Sequence, residues 1–159
     1  MRLLSTTLIT CILIRQFSTA RIFNVKSALS KLGYYQHDGA FIYRLQCENK
    51  RMYIGSTQNI TQRMYEHFSG HGGICTSKCR PLHIINIFRT TPEQMRSDER
   101  RETLRCMRVY GIHNVRGGPY VSNRVMEYEE FIRREIAFEF NLCFKCLKGG
   151  HYASDCSVI

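Results

Sequence analysis

From Phe41 to Cys47 the side chains alternate, with Phe41, Tyr43, Leu45 and Cys47 at one parity, and this period of two predicts a strand with those four on one face. Glu48-Asn49-Lys50 is a polar turn, and Met52 to Ile54 starts a returning strand, so the segment reads as a hairpin. The period then changes. Ile60, Met64 and Phe68 recur at i, i+4 and i+8, the core stripe of a helix, with Asn59 as N-cap and Gln62 three residues on as in a capping box. Ser69 to Gly73 is a loop, and Pro81 opens an apolar strand, Leu82 to Phe88. Thr91-Pro92-Glu93 starts a second helix, with an N-cap, a proline at the first helical position and an acid in the first turn, and Gly111 ends it. Asn114 to Gly118 is a loop, and a third helix is predicted over about Met126 to Phe138. The element order is β-β-α-β-α followed by a helix, with no internal repeat or low-complexity run.

This pattern gathers polar groups. The hairpin brings Tyr43 and Tyr53 side by side. Arg63 and His67, at i and i+4 on a face adjacent to the apolar stripe, point at one spot. Two phenols, a guanidinium and an imidazole suit phosphate-ester chemistry, which also needs charge compensation, commonly from a divalent metal held by carboxylate oxygen. The second helix offers Asp98, Glu99 and Glu102. Glu99 falls at the centre of the stripe formed by Met95, Thr103, Cys106, Met107 and Tyr110, and Glu102 lies about 60° off it. A carboxylate on a buried face is costly unless it binds something, so Glu99 is the first choice for the metal and Glu102 the second.

Phe41-Ile42-Tyr43, nine residues, Tyr53-Ile54-Gly55, then Arg63 and His67 resemble the GIY-YIG nuclease family. Phe41 stands where that family's first motif usually has glycine, while the second motif is intact and runs on into Ser56-Thr57. The resemblance implies an α+β fold, a three-stranded antiparallel sheet flanked by helices, over residues 40–120. It implies an endonuclease hydrolysing phosphodiester bonds with one Mg²⁺ or Mn²⁺ ion. In that picture Tyr43 helps deprotonate the attacking water, its phenol pKa lowered by the metal or by neighbours. Tyr53 positions water or phosphate, and Arg63 stabilises the charge developing on the phosphate. His67, with a near-neutral pKa, assists proton transfer or orientation, and Glu99 holds the metal. Asn114, in the run Asn114-Val115-Arg116-Gly117-Gly118, is implied to contribute to the active site. Gly55, Lys78 and Arg116 are expected to meet nucleic acid. Each residue taken singly has a plainer reading, such as cross-strand packing for the tyrosines or a solvated helix charge for Arg63; their convergence favours the functional one.

Net charge is +10 over 159 residues. Residues 1–37 carry five basic residues and no acid, so half of the excess lies outside the expected nuclease domain. A basic surface favours polyanions, here DNA first and RNA second. Residues 1–20 include an apolar run, Leu3 to Ile14, too short to span a bilayer, which needs about 20 apolar residues. The arginines flanking it, Arg2 and Arg15, the hydroxyl residues and the lack of acids fit a mitochondrial transit peptide. A secretory signal and a frayed helix with no targeting role fit the same residues, and without a transit peptide the expected place is intracellular, nuclear or cytoplasmic. Residues 21–39 are expected as a linker and 121–140 as a helical connector.

Residues 141–157 carry a second signal. Cys143, Cys146, His151 and Cys156 are spaced C-x2-C-x4-H-x4-C, three thiolates and an imidazole suited to one closed structural Zn²⁺ site. The spacing closely resembles the CCHC zinc knuckle, with Gly149 and Gly150 permitting a tight turn and Leu147 in place of a usual glycine. Such knuckles bind single-stranded nucleic acid, which makes Phe144 and Tyr152 stacking residues and Lys145 and Lys148 backbone contacts. His71, Cys75, Cys79 and His83 recur every four residues and hint at a second metal site, although Pro81 and the loop glycines prevent one continuous helix. Two other readings stay open. One is a non-catalytic nucleic-acid-binding module with a degenerate nuclease fold, motivated by Phe41. The other is a redox or zinc-storage protein built on the cysteines.

Overall fold

A computed structural model describes residues 25–34 and 38–158; the targeting segment expected over residues 1–20 lies outside them. The chain folds as a mixed α+β structure around a four-stranded sheet of order β3-β1-β2-β4, in which β1 is Asp38–Cys47, β2 Met52–Asn59, β3 Pro81–Thr90 and β4 Val115–Arg116. The predicted hairpin is present. Asn49 and Lys50 both take left-handed backbone in its turn, with φ of 57° and 58°. The two central pairings are antiparallel, as expected, but β4 adds a fourth strand that runs parallel to β2. Two residues are too short for a periodic signal, so the expectation of three strands is corrected here.

β1 is an interior strand and is buried on both faces, more than an alternating pattern implies. Phe41, Tyr43, Leu45 and Cys47 face one core with Ile60, Met64 and Ile87, while Ile42 joins Ile54, Leu104, Met107, Ile132 and Ile136 in the other. The first core is closed by α2, Ile60–Ser69, and by α1, helical residues 25–31, whose Val25 and Leu29 are buried. The stretch expected as a linker therefore contains a packed helix. A five-residue helix, α3 (Ile74–Lys78), follows α2 and had no separate sequence signal. The second core is closed by α4, Met95–Tyr110, and α5, Glu129–Glu139. Thr91 caps a single turn, with the Gln94 amide donating to its carbonyl at 3.1 Å, and α4 proper begins after that turn rather than at Pro92. Residues 123–128 form a 3-10 turn, so the third predicted helix starts later, at Glu129. Arg100 ties α4 to α5 through Glu135 at 2.6 Å and Glu139 at 3.0 Å. Residues 129–139, within the expected helical connector, are a helix packed into the core.

The cysteine-rich tail docks on this second core through partly buried Leu142 and Leu147. Leu147 has φ 57° and Gly150 φ 91°, so the turn needs left-handed backbone at both positions. That explains why a glycine suits position 147; a leucine there costs on the order of 1 kcal/mol, offset by its apolar contact. Among the described residues, no helix is long and apolar enough to cross a membrane.

Candidate active site and metal centres

Tyr43 projects from β1 opposite Gly55 of β2. A Cβ at Gly55 would lie 2.3 Å from the Tyr43 hydroxyl, so the glycine of the second triplet makes room for the phenol of the first. The Tyr43 hydroxyl is 2.8 Å from His67 Nε2 on α2, and His67 Nδ1 is 3.0 Å from the Thr76 hydroxyl on α3. The Thr76 hydroxyl donates to the Gly73 carbonyl at 3.1 Å. Its proton being used there, it accepts from Nδ1–H. The neutral imidazole then presents a bare Nε2 that accepts from the Tyr43 phenol. Arg63 Nε completes the chain by donating to the Tyr43 oxygen at 3.1 Å. Gly72 lets the loop come this close, since a Cβ there would fall 2.6 Å from His67 Nδ1 and 2.4 Å from the Thr76 hydroxyl oxygen.

Tyr53 sits diagonally across the hairpin, with ring centroids 6.3 Å from Tyr43 and 5.3 Å from His67. Burial raises both phenol pKa values, and the nearby Arg63 guanidinium, hydrogen-bonded to Tyr43, only partly offsets it. Tyr43 is therefore a protonated phenol at neutral pH in the free protein, against the expectation of a lowered pKa. His67 is wholly buried, and burial first, then the Arg63 charge, lowers its pKa to about 4, so it is neutral rather than half-charged near pH 6.5. Burial works against the charge on Arg63 itself, but the Glu66 carboxylate at 2.8 Å and the phenol oxygens hold its pKa above the usual value.

Glu99 approaches from the other face of the sheet. β4 pairs only with Met52 and Tyr53, so the Ile54–Ser56 edge of β2 has no strand beside it. Across that edge the Ser56 hydroxyl donates to Glu99 Oε2 at 2.6 Å, and the Gly118 amide donates to Oε1 at 2.9 Å. Each carboxylate oxygen retains a lone pair, and its charge adds to the upward pull on both phenols. One such carboxylate, completed by water and substrate phosphate, fits a magnesium-type ion. Glu102 is engaged elsewhere, in an ion pair with Arg44 and a longer contact to Arg105 at 3.7 Å.

Other predicted residues sit as follows. The Asn114 amide donates to the Tyr110 carbonyl at 2.8 Å and closes the end of α4. Arg116 is half-buried beside Tyr53, and Lys78 is exposed on α3. Phe41 is fully buried, edge-on to Tyr34 at 5.7 Å and beneath the Arg89 guanidinium at 5.4 Å. It packs in the core beside Tyr43 and leaves every polar group of the cluster in place.

The tail assembles its donors. One ligand atom from each of Cys143, Cys146, His151 and Cys156 lies within 4.8 Å of all the others, with Cys146 Sγ 3.3 Å from His151 Nε2. The soft donor set and its closeness fit zinc. Phe144 and Tyr152 are exposed on the same unit, Tyr152 at 78%, as are Lys145 and Lys148. Among the described residues no second such group exists. Cys75 and Cys79, half of the four-residue repeat, donate instead to the Val121 and Glu48 carbonyls at 2.9 and 3.0 Å.

A family model described as the GIY-YIG catalytic domain matches residues 39–104, which hold both triplets, Arg63, His67 and Glu99. Residues 39–104 are a GIY-YIG domain. The chain is also similar to two bacterial proteins named UPF0213 protein. The one from Syntrophus aciditrophicus is 38% identical over 48 residues, 30% of this chain and 55% of that protein. The one from Cupriavidus necator is 29% identical over 66 residues, 42% of this chain and 64% of that protein. The chain thus spans between half and two thirds of these relatives' lengths. No solved structure matches. Sequence reasoning about the GIY-YIG domain missed Thr76, Ser56, Gly72 and Gly118. Ser56 was visible as the polar extension of the second triplet; Thr76 gave no signal, because its role depends on a helix too short to predict.

Proposed function

We propose that the chain is a metal-dependent DNA endonuclease whose C-terminal knuckle helps hold nucleic acid. The observation that supports it is the unbroken hydrogen-bond chain Arg63–Tyr43–His67–Thr76 facing the edge at which Glu99 is held. A neutral phenol is a poor base alone, but Tyr43 is placed to take a proton from water while passing its own to His67 Nε2. Arg63, already on the phenol oxygen, stabilises negative charge on that oxygen and on the phosphate beside it. The water-derived hydroxide forms the new P–O bond as the P–O bond to the leaving alkoxide breaks; the alkoxide takes a proton from solvent, and His67 returns its proton to solvent by way of the Tyr43 hydroxyl. Thr76 is a positioning residue that keeps the His67 proton on Nδ1. Glu99 would hold the Mg²⁺ or Mn²⁺ ion, with Ser56 and Gly118 fixing its carboxylate. Such an ion supplies charge neutralisation at the phosphate.

The non-catalytic alternative loses its motive, because Phe41 is a core residue rather than an obstruction at the phenols. The test is incubation of the folded protein with flaps, junctions, duplexes and single strands of DNA, with Mg²⁺ or Mn²⁺. Nicking of at least one is expected; no product from any of them contradicts the reading.

A further inference from the structure

Outside the phenol cluster, three cations share one recess whose lining includes no acid, the nearby Glu48 carboxylate accepting from the Arg80 amide at 3.4 Å. Arg51, in extended backbone just before β2, lies two residues from Tyr53, and both line the recess. Arg116 on β4 is the register partner of Tyr53 and lines it too. Lys78, at the end of α3, completes a small cavity of about 60 Å³ lined also by Cys47, Cys75 and Cys79. Seven arginines, Arg44, Arg63, Arg100, Arg101, Arg105, Arg124 and Arg134, reach a carboxylate, whereas Arg80, Arg89, Arg96, Arg108 and Arg133 do not and do not line this recess. Among the described residues Arg51, Lys78 and Arg116 have no such partner. Arg116 is also held rigidly, its Nη1 donating to the Ile112, His113 and Val115 carbonyls at 3.1, 3.3 and 2.7 Å. Burial and the charge of Arg51 both disfavour its protonated form. A cation withdrawn from water beside a second cation is stabilised by an anion brought from outside.

We infer that the recess of Arg51, Lys78 and Arg116 is a phosphodiester subsite, holding a backbone phosphate of the DNA strand next to the one presented to Tyr43 and Tyr53. This rests on the endonuclease reading for the identity of the strand. The spacing follows from the sheet, because Tyr53 belongs to both the recess and the phenol cluster, so one strand crossing Tyr53 meets both. Arg116 and Arg51 supply planar donor forks suited to phosphate oxygens, and Lys78 a movable charge at the rim.

The test is binding of a fluorescein-labelled single-stranded DNA oligonucleotide by fluorescence anisotropy, without added Mg²⁺ or Mn²⁺, across a salt series. The proteins are wild type, Arg51→Gln, Arg51→Lys, Lys78→Gln, and Lys50→Gln as a charge-matched change on the neighbouring turn, each checked by thermal melting. A lost phosphate contact lowers the slope of log K against log salt by roughly 0.7 on single strands. Arg51→Gln and Lys78→Gln are expected to show that loss, while Arg51→Lys and Lys50→Gln keep the wild-type slope. Slopes for Arg51→Gln and Lys78→Gln that match either wild type or Lys50→Gln overturn the subsite, as does failure of wild type to bind. Wild-type cleavage is assayed separately. Cleavage with unchanged slopes defeats the subsite and leaves the endonuclease reading standing; lost slopes without cleavage do the reverse.

Discussion

His67 is buried with both ring nitrogens engaged, and that fixes how it titrates. Its folded pKa is lowered to about 4 from an ordinary 6.5. The folded state thus binds fewer protons than the unfolded chain between those values. The stabilisation is fully present above about pH 6.5 and is lost as pH falls through 4. An NMR titration of the imidazole in the free protein should show one neutral tautomer, protonated on Nδ1, down to about pH 4. A midpoint near 6.5 would mean that the Tyr43–His67–Thr76 chain does not form. The same packing makes Gly55 sensitive. In Gly55→Ala the new methyl meets the Tyr43 hydroxyl, so a loss of about 1–3 kcal/mol in chemical denaturation is expected. The accompanying shift of the phenol should slow cleavage roughly 100-fold. The roles of Tyr43, Arg63 and His67 could be suggested from spacing, but their protonation states could not. Those depend on burial, and the sequence pattern does not show that the imidazole is sealed beneath Gly72 and Thr76.

At the scale of elements, α4 carries two glutamates three residues apart with different fates. Helical phase separates them: Glu99 reaches the open edge of β2, and Glu102 turns to Arg44 of β1. Glu102→Gln should therefore retain cleavage while lowering stability by roughly 1–3 kcal/mol, measured by urea unfolding alongside a nicking assay. Abolished cleavage at unchanged stability would reverse the assignment of the two acids. The long periodic elements, β1, β2, α2 and most of α4, were legible because each shows enough repeats of its period. The short ones were not. β4 has two residues and α3 five, yet β4 sets where the sheet edge opens and α3 supplies the partner of His67. Asn114, read from the sequence as a loop residue, closes a 3-10 turn and bonds back to the end of α4, where the chain leaves the helix for β4.

The whole molecule joins a GIY-YIG domain and a Cys3His tail through one shared core. Leu142 and Leu147 link the tail to the cluster of Ile132, Ile136 and Met107, so metal binding in the tail would be coupled to the packing of α5. One Zn²⁺ per chain is expected by elemental analysis. Chelation should strip hydrogen-exchange protection from the Cys143 and Leu147 amides, which bond within the tail, while β1 and β2 keep theirs. Two zinc ions per chain, or an unchanged exchange pattern, would contradict this arrangement. The tail's spacing was readable because four ligands must meet at one point, whereas its docking on α4 and α5 was not, because it rests on two leucines with no pattern of their own. The central claim concerns the site between the two cores, and single-turnover cleavage of the best DNA substrate with Mg²⁺ or Mn²⁺ tests it most directly. Wild type should cut, and Glu99→Ala should be slower by at least about 100-fold while binding the same DNA with similar affinity. Equal rates for the two proteins, or no cutting by folded wild type, would contradict it.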